Sequence, residues 1–241
     1  MLFLFALFVL GIASGAAAGI VGFGIGSLLT PLLLTRMEPA LAIAAVSIPH
    51  LAATSLRCVQ HRRYISRSIL LRFGLPSVAG GLAGAWVQGS LSARTLSIVL
   101  GGLLIATALA NLTRGFGNWR PGTPAAVALG TLSGFLGGIA GNQGGFRTMG
   151  LLAFDLSPRA FLATSTAVGV LIDLGRTPIY VARAGAALVP LAVPIAVAAA
   201  GCLVGTILGE RALLGMSPDR YRVVVAAAVG ALGIWLLTRA F

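Results

Sequence analysis

The chain has 241 residues, 58% of them hydrophobic and 9% charged, with a formal net charge of +12. A mean hydropathy of +1.00 with so few charges excludes an ordinary soluble domain, in which about a quarter of residues are charged. The positive charge comes from 17 arginines, with no lysine. They stand mostly between apolar runs, where cytoplasmic loops collect such charge, and this argues against nucleic acid as the partner.

Apolar runs on the scale of the ~20 residues that a crossing helix needs follow one another along the chain. They occupy 1–35, 39–56, 73–93, 95–113, 121–146, 184–209 and 223–238, and 160–182 makes an eighth, interrupted by Asp173 and Arg176. No strand-type alternation accompanies them, so they read as helices rather than barrel strands. The expected fold is an all-α polytopic membrane protein of about eight transmembrane helices. The first residues look like a signal peptide, an apolar run followed by "ASGAAAG", but they lack a basic leading segment and continue without a boundary.

A shift of 119 positions overlays the two halves. Gly11, Ser14, Gly15, Gly19, Ile20, Gly22 and Gly26 fall on Gly130, Ser133, Gly134, Gly138, Ile139, Gly141 and Gly145. The same shift pairs Leu32 and Leu33 with Leu151 and Leu152, Pro39 with Pro158, Ala44 with Ala163 and Arg57 with Arg176. A cleaved signal peptide would have no such counterpart, so the N-terminal run is expected to be mature structure. The reading is two homologous halves, 1–118 and 119–241, divided within the turn-rich "RGFGNWRPGTP" and packed as one transport unit.

The segment "RCVQHRRYISRSILLR", with Arg57, Arg62, Arg63, Arg67 and Arg72, is the strongest basic cluster and is placed in the cytoplasm. Eight spans make the repeats parallel. Ten spans, with the short pieces after each glycine cluster also crossing, make them inverted. The eight-span arrangement with discontinuous or re-entrant first helices is the expectation, since 27–35 is too short to cross alone at about 1.5 Å per residue.

The paired stretches "GIVGFGIGSLLTPLLL" and "GGIAGNQGGFRTMGLL" interrupt apolar runs with crowded glycines. At membrane depth, non-helical backbone persists only where it is buried or lines a wet cavity. A helix restarting after such a break exposes free N–H groups and a positive dipole end. Two such ends brought together by a repeat form a site for an anion. Gly22, Gly24 and Gly26, and Gly141, Gly144 and Gly145, are read as these breaks, while the four-residue ladder Gly11, Gly15, Gly19 is read as a packing surface. Asn142 and Gln143 either bond an oxyanion or cap the break.

The pattern Gly15, Gly19, Gly22, Gly24, Gly26 leading to Pro31, Leu32 and Leu33 recurs as Gly134, Gly138, Gly141, Gly144, Gly145 followed by Ala163, Thr164 and Ser165. It resembles the TauE/SafE sulfite exporter family of anion permeases over the whole chain. The glycine triplet usual in that family is broken here by Ile25 in one copy and by Asn142 and Gln143 in the other, and Gly150 stands where the family's proline is expected. The resemblance implies a multi-pass carrier, in a bacterial-type inner membrane, for sulfite, related oxyanions or organic sulfonates or carboxylates. No cofactor and no enzymatic activity are implied.

Arg147 follows the second break, where a cation opposes the helix dipole. Its planar fork matches a sulfonate or carboxylate, or it snorkels to the membrane surface. Asp173 and Arg176 share a helix face and form either a structural ion pair or, for Asp173, a coupling site. His50, after Pro49, either bonds a freed backbone group or carries a coupling proton, since histidine changes charge near neutrality. Thr164 and Ser165 are candidate anion donors, unless their hydroxyls bond back to their own helix. Trp86, Trp119 and Trp235 suit the interfaces.

Two rival functions are disfavoured. An intramembrane enzyme lacks support, because no HExxH occurs and His50 and His61 are the only histidines. A membrane assembly or metal-delivery factor would rest on scattered Met, Cys and His residues.

Overall fold

The computed structural model describes residues 1–21, 24–112, 122–141, 144–212 and 218–240, and every regular element among them is helical. The first half holds α1 (Leu2–Val21), α2 (Ile25–Leu34) and α3 (Pro39–His61). A short α4 (Arg67–Ile69) then runs through a π-helical turn, Leu70–Gly74, into α5 (Leu75–Gln88), and α6 (Ala93–Leu112) follows. The second half repeats the order with α7 (Thr123–Ala140), α8 (Gly144–Leu151), α9 (Pro158–Ala184), α10 (Ala192–Ala212) and α11 (Pro218–Ala240). A 3-10 segment, Gly185–Leu191, joins α9 to α10.

Four stretches are long and apolar enough to cross a membrane: Pro39–Tyr64, Arg67–Gln88, Thr123–Ala140 and Pro158–Gly209. Shorter apolar helices cover Leu2–Ala18, Ile25–Leu34, Ala93–Leu109 and Val229–Thr238. The chain is thus a multi-pass helical membrane protein.

Packing partners are exchanged between the two halves of the chain. Helix α1 lies on α10, α7 lies on α5, α6 lies on α11 and α3 lies on α9. Small residues bring the first two pairs together. A Cβ on Gly201, Gly205 or Gly209 of α10 would run into Phe8, Ile12 or Ala16 of α1. On α7, a Cβ on Gly130, Gly134 or Gly138 would run into Phe73, Ser77 or Gly81. In both pairs the contacts advance by four residues on each helix, so the partners run parallel. The glycine ladders are therefore backbone contact surfaces, as small-residue ladders in membrane helices commonly are.

Helices α3 and α9 run the other way relative to each other. His50 meets Asp173, and one turn on in α3, Thr54 meets Gly169, one turn back in α9. Helices α6 and α11 are also antiparallel, with Gly101 against Leu237 and Ala108 against Gly230. Corresponding helices of the two halves thus point in opposite directions. The parallel arrangement expected from eight crossings is corrected to an inverted one.

Both short helices fold back on the helix before them. Gly150, at the end of α8, lies beside the Ala126 carbonyl at the start of α7, where a Cβ would stand 3.3 Å from that oxygen. Arg36, just past α2, stacks over the Phe3 ring at the start of α1, 5.0 Å from its centroid. The buried Phe73 ring fills the space above Gly150, which accounts for glycine there in place of the Pro31 found in the first half.

Candidate functional site

The helix breaks meet at the centre of the molecule. Helix α7 ends on Gly141, whose φ of 74° is a left-handed conformation that favours glycine. Helix α2 begins after Gly24, whose φ of 149° is likewise open mainly to glycine. Gly26, in the first turn of α2, faces the Gly141 carbonyl so closely that a Cβ would stand 2.8 Å from its oxygen. Gly144 opens α8, and Gly145 follows within it. Gly22, Asn142 and Gln143 lie outside the described residues.

Two buried arginines bind the carbonyl ends of the broken helices. Arg57 of α3 donates to Ala18 O at 3.0 Å and Gly15 O at 3.1 Å. Arg176 of α9 donates to Gly137 O and, at 3.4 Å, to Gly141 O. Ala18 and Gly137 are themselves 119 positions apart, so the two arginines make equivalent contacts. Each places a cation at the negative end of a helix dipole, on carbonyls of the last turns before the break, Gly137 O also accepting the Gly141 N–H at 2.8 Å. Arg57, expected among the loop arginines of a cytoplasmic cluster, is corrected to a core residue only 5% exposed. Its pairing with Arg176 in the repeat was the sequence signal for that role. Tyr180, which the sequence did not single out, donates to Gly138 O one turn beyond Arg176.

Asp173 is fully buried and held from two sides. His50 Nδ1 lies 2.5 Å from its Oδ2. Arg176 Nε donates to Oδ1 at 3.0 Å, with Nη2 2.8 Å away. Thr54 hydrogen-bonds the His50 carbonyl at 2.6 Å and lies 3.3 Å from the ring nitrogen, which keeps the imidazole turned toward the carboxylate. Thr54 is the repeat counterpart of Asp173, a signal available in the sequence and not used.

Arg147, one turn into α8, is 5% exposed, so its guanidinium is in the core rather than snorkelling to a surface. Its Nε donates to Ser165 Oγ at 3.0 Å, and its Nη1 lies against Gly169, 2.9 Å from where a Cβ would be. Ser165 thus joins the cluster through Arg147. Thr164 faces another way and accepts the Ser66 N–H at 3.0 Å, tying α9 to the segment before α4. Gly24, Gly26, Gly141, Arg147, Ser165, Asp173 and His50 therefore belong to one central region, and Thr164 is bonded outside it. Among the described residues, no three His, Cys, Asp or Glu side chains gather in a way that could hold a metal ion.

A family model described as Sulfite exporter TauE/SafE matches residues 7–236, nearly the whole chain. Comparison with curated proteins and with solved structures gave no match. Members of this family are membrane transporters of the anion-exporter type, not enzymes. Inverted helices, chain breaks that meet between them and a buried cationic cluster are all compatible with that class, and the chain belongs to the TauE/SafE sulfite exporter family.

Proposed function

We propose that the chain is a secondary carrier that moves a small sulfur oxyanion or organic sulfonate across a bacterial-type inner membrane, in the export direction. One observation carries the reading: buried arginines cluster where the helix breaks meet, with Gly26 against the Gly141 carbonyl that Arg176 binds. Arg57, Arg147 and Arg176 are all buried, whereas Asp173 is the one buried carboxylate among the described residues. Arg147 is within electrostatic reach of the other three. Buried guanidinium groups beside the N-termini of restarted helices favour an oxyanion, and an anion bound beside Arg147 fits that setting.

In this reading the α1–α2 and α7–α8 hairpins enter from opposite faces and bring their tips together near the bilayer midplane. The six remaining long helices cross, three in each half, and an odd number per half gives the inverted arrangement. The two repeats work as one transport unit. Free N–H groups of the restarted helices and the Arg147 guanidinium face the anion, and Asn142 and Gln143 are assigned to the same tip. His50 and Asp173 are assigned the coupling proton, because protonating the carboxylate removes the charge that holds His50 and Arg176 and loosens the pair that closes the centre of α3 against α9.

The test is flux of labelled sulfite, sulfate, thiosulfate, a short sulfonate and a short carboxylate into proteoliposomes, with and without a pH gradient, alongside Arg147→Ala. Saturable flux of one anion, reduced at least about tenfold in kcat/KM by the substitution, supports the carrier and its site. Equal flux in both proteins removes Arg147 from the site. No flux of any anion favours an assembly or metal-delivery role.

A further inference from the structure

Ser27 is the third residue of α2 and its hydroxyl is buried, with the residue only 1% exposed. That hydroxyl has no hydrogen-bond partner among the described residues. Other buried helical serines here solve the same problem locally, Ser14 bonding Leu10 O, Ser47 bonding Ala44 O and Ser77 bonding Phe73 O. Ser27 Oγ makes no such bond.

Its position gives the hydroxyl a direction. Helical Cα–Cβ bonds tilt toward the N-terminus, so the Ser27 side chain leans toward the start of α2. The first helical hydrogen bond of α2 runs from Leu28 N–H to Gly24 O, which leaves the N–H groups of Ile25, Gly26 and Ser27 without helical acceptors. That end of α2 is also where Gly26 meets Gly141. A buried hydroxyl without a partner is rarely left so in a native protein, and three N–H donors beside it at a positive dipole end call for one kind of acceptor.

We infer that Ser27 Oγ and the first N–H groups of α2 form an oxyanion seat, taking a ligand that presents two or more oxygens to one face, as a sulfonate or sulfite group does. This rests on the carrier reading and adds a residue and a chemical class to it. The seat is one-sided. The residue 119 positions after Ser27 is Phe146, and the one 119 before Arg147 is Leu28. The α2 tip therefore gives a hydroxyl and the α8 tip a guanidinium, so the ligand meets different donors from the two halves.

The experiment measures KM and kcat for the panel anion with the highest flux, in the unaltered chain, Ser27→Ala and Ser27→Thr, with thermal unfolding in detergent as a check on folding. The expected result is a KM raised about tenfold in Ser27→Ala, unfolding within a few degrees of the parent, and a smaller KM change in Ser27→Thr, which keeps the hydroxyl. Flux with an unchanged KM in Ser27→Ala overturns the seat and leaves the carrier standing. Absence of any anion flux in the unaltered chain overturns both. A Ser27→Ala chain that unfolds early with its KM unchanged shows a packing role and also overturns the seat.

Discussion

His50 Nδ1 stands 2.5 Å from Asp173 Oδ2 and ties the middle of α3 to the middle of α9. The residues corresponding to them in the opposite halves, Gly169 and Thr54, also face each other, with 3.4 Å between the glycine's would-be Cβ and Thr54 Cγ2. One crossing point of the antiparallel pair therefore carries a histidine–carboxylate hydrogen bond, and the other a bare glycine against a methyl group. The Arg147 guanidinium takes the room that Gly169 leaves. A near-symmetric scaffold thus holds an asymmetric set of charges at its centre.

Gly169→Ala tests that arrangement without removing a charge. The new Cβ would lie 2.9 Å from Arg147 Nη1, so the guanidinium must shift by several tenths of an ångström while the helices stay in place. The expected outcome is a loss of about tenfold in kcat/KM, a smaller defect than that of Arg147→Ala, with unfolding temperature changed by only a few degrees. Misplacement on this scale is enough to cost activity where groups are positioned for a ligand. Flux assays on both variants, run beside thermal unfolding, read the difference.

Asp173→Ala separates folding from transport at the same centre. Arg176 would keep its bonds to Gly137 and Gly141 but lose its only carboxylate partner among the described residues. Removing one member of a buried ion pair costs about 3–5 kcal/mol, so a large fall in unfolding temperature and in yield is expected. Asp173→Asn keeps the volume and a hydrogen-bond acceptor, and is expected to recover part of that stability while remaining inactive. A fully stable Asp173→Ala would show that Arg176 is neutralised by the helix-end carbonyls alone.

How much of this could be read from the sequence depended on whether a residue's role was local or relational. The repeat, the breaks at Gly24 and Gly141 and the packing glycines were visible because each is a spacing in one dimension. The direction of the halves was not, since it depends on whether the chain turns back at each break, and a run of glycines permits either. Arg57 was misplaced for a related reason: arginines next to it in sequence do lie in a loop, and only its pairing with Arg176 marked it as buried. Ser27 carried no signal of its own, because a serine near a helix start is unremarkable until its surroundings are known to be dry.

His50→Gln addresses coupling. Glutamine keeps a polar side chain near Asp173 but cannot take up a proton near neutrality, as histidine can. The expected variant still transports the anion down its own gradient, at a rate within about tenfold of the parent, while an imposed pH gradient no longer changes that rate. Proteoliposome flux measured with and without the gradient distinguishes this from a histidine that only positions Asp173, for which the response to pH would persist.

Orientation in the membrane follows from the helix directions and the arginines together. Arg62, Arg63, Arg67 and Arg72 gather where α3 hands over to α5, and Arg159 joins them there, its Nη1 3.3 Å from the Tyr64 hydroxyl. At the opposite end Arg36 stacks on Phe3, Arg94 opens α6, and Arg183 binds the Ala85 and Trp86 carbonyls. Arg62, Arg63, Arg67, Arg72 and Arg159 gather at the first end, and at the second Arg36 and Arg183 are engaged by the protein itself. On the carrier reading the basic end is expected in the cytoplasm, with α1 entering from the far side and Ser92 and Gly185 outside. Single cysteines at Arg63, Ser92 and Gly185, introduced after Cys58 and Cys202 are replaced by alanine, report this with a membrane-impermeant thiol reagent on intact cells. Labelling at Ser92 and Gly185 with protection at Arg63 is expected; the reverse pattern would turn the molecule over, and labelling at Ser92 without Gly185 would return the halves to a parallel arrangement.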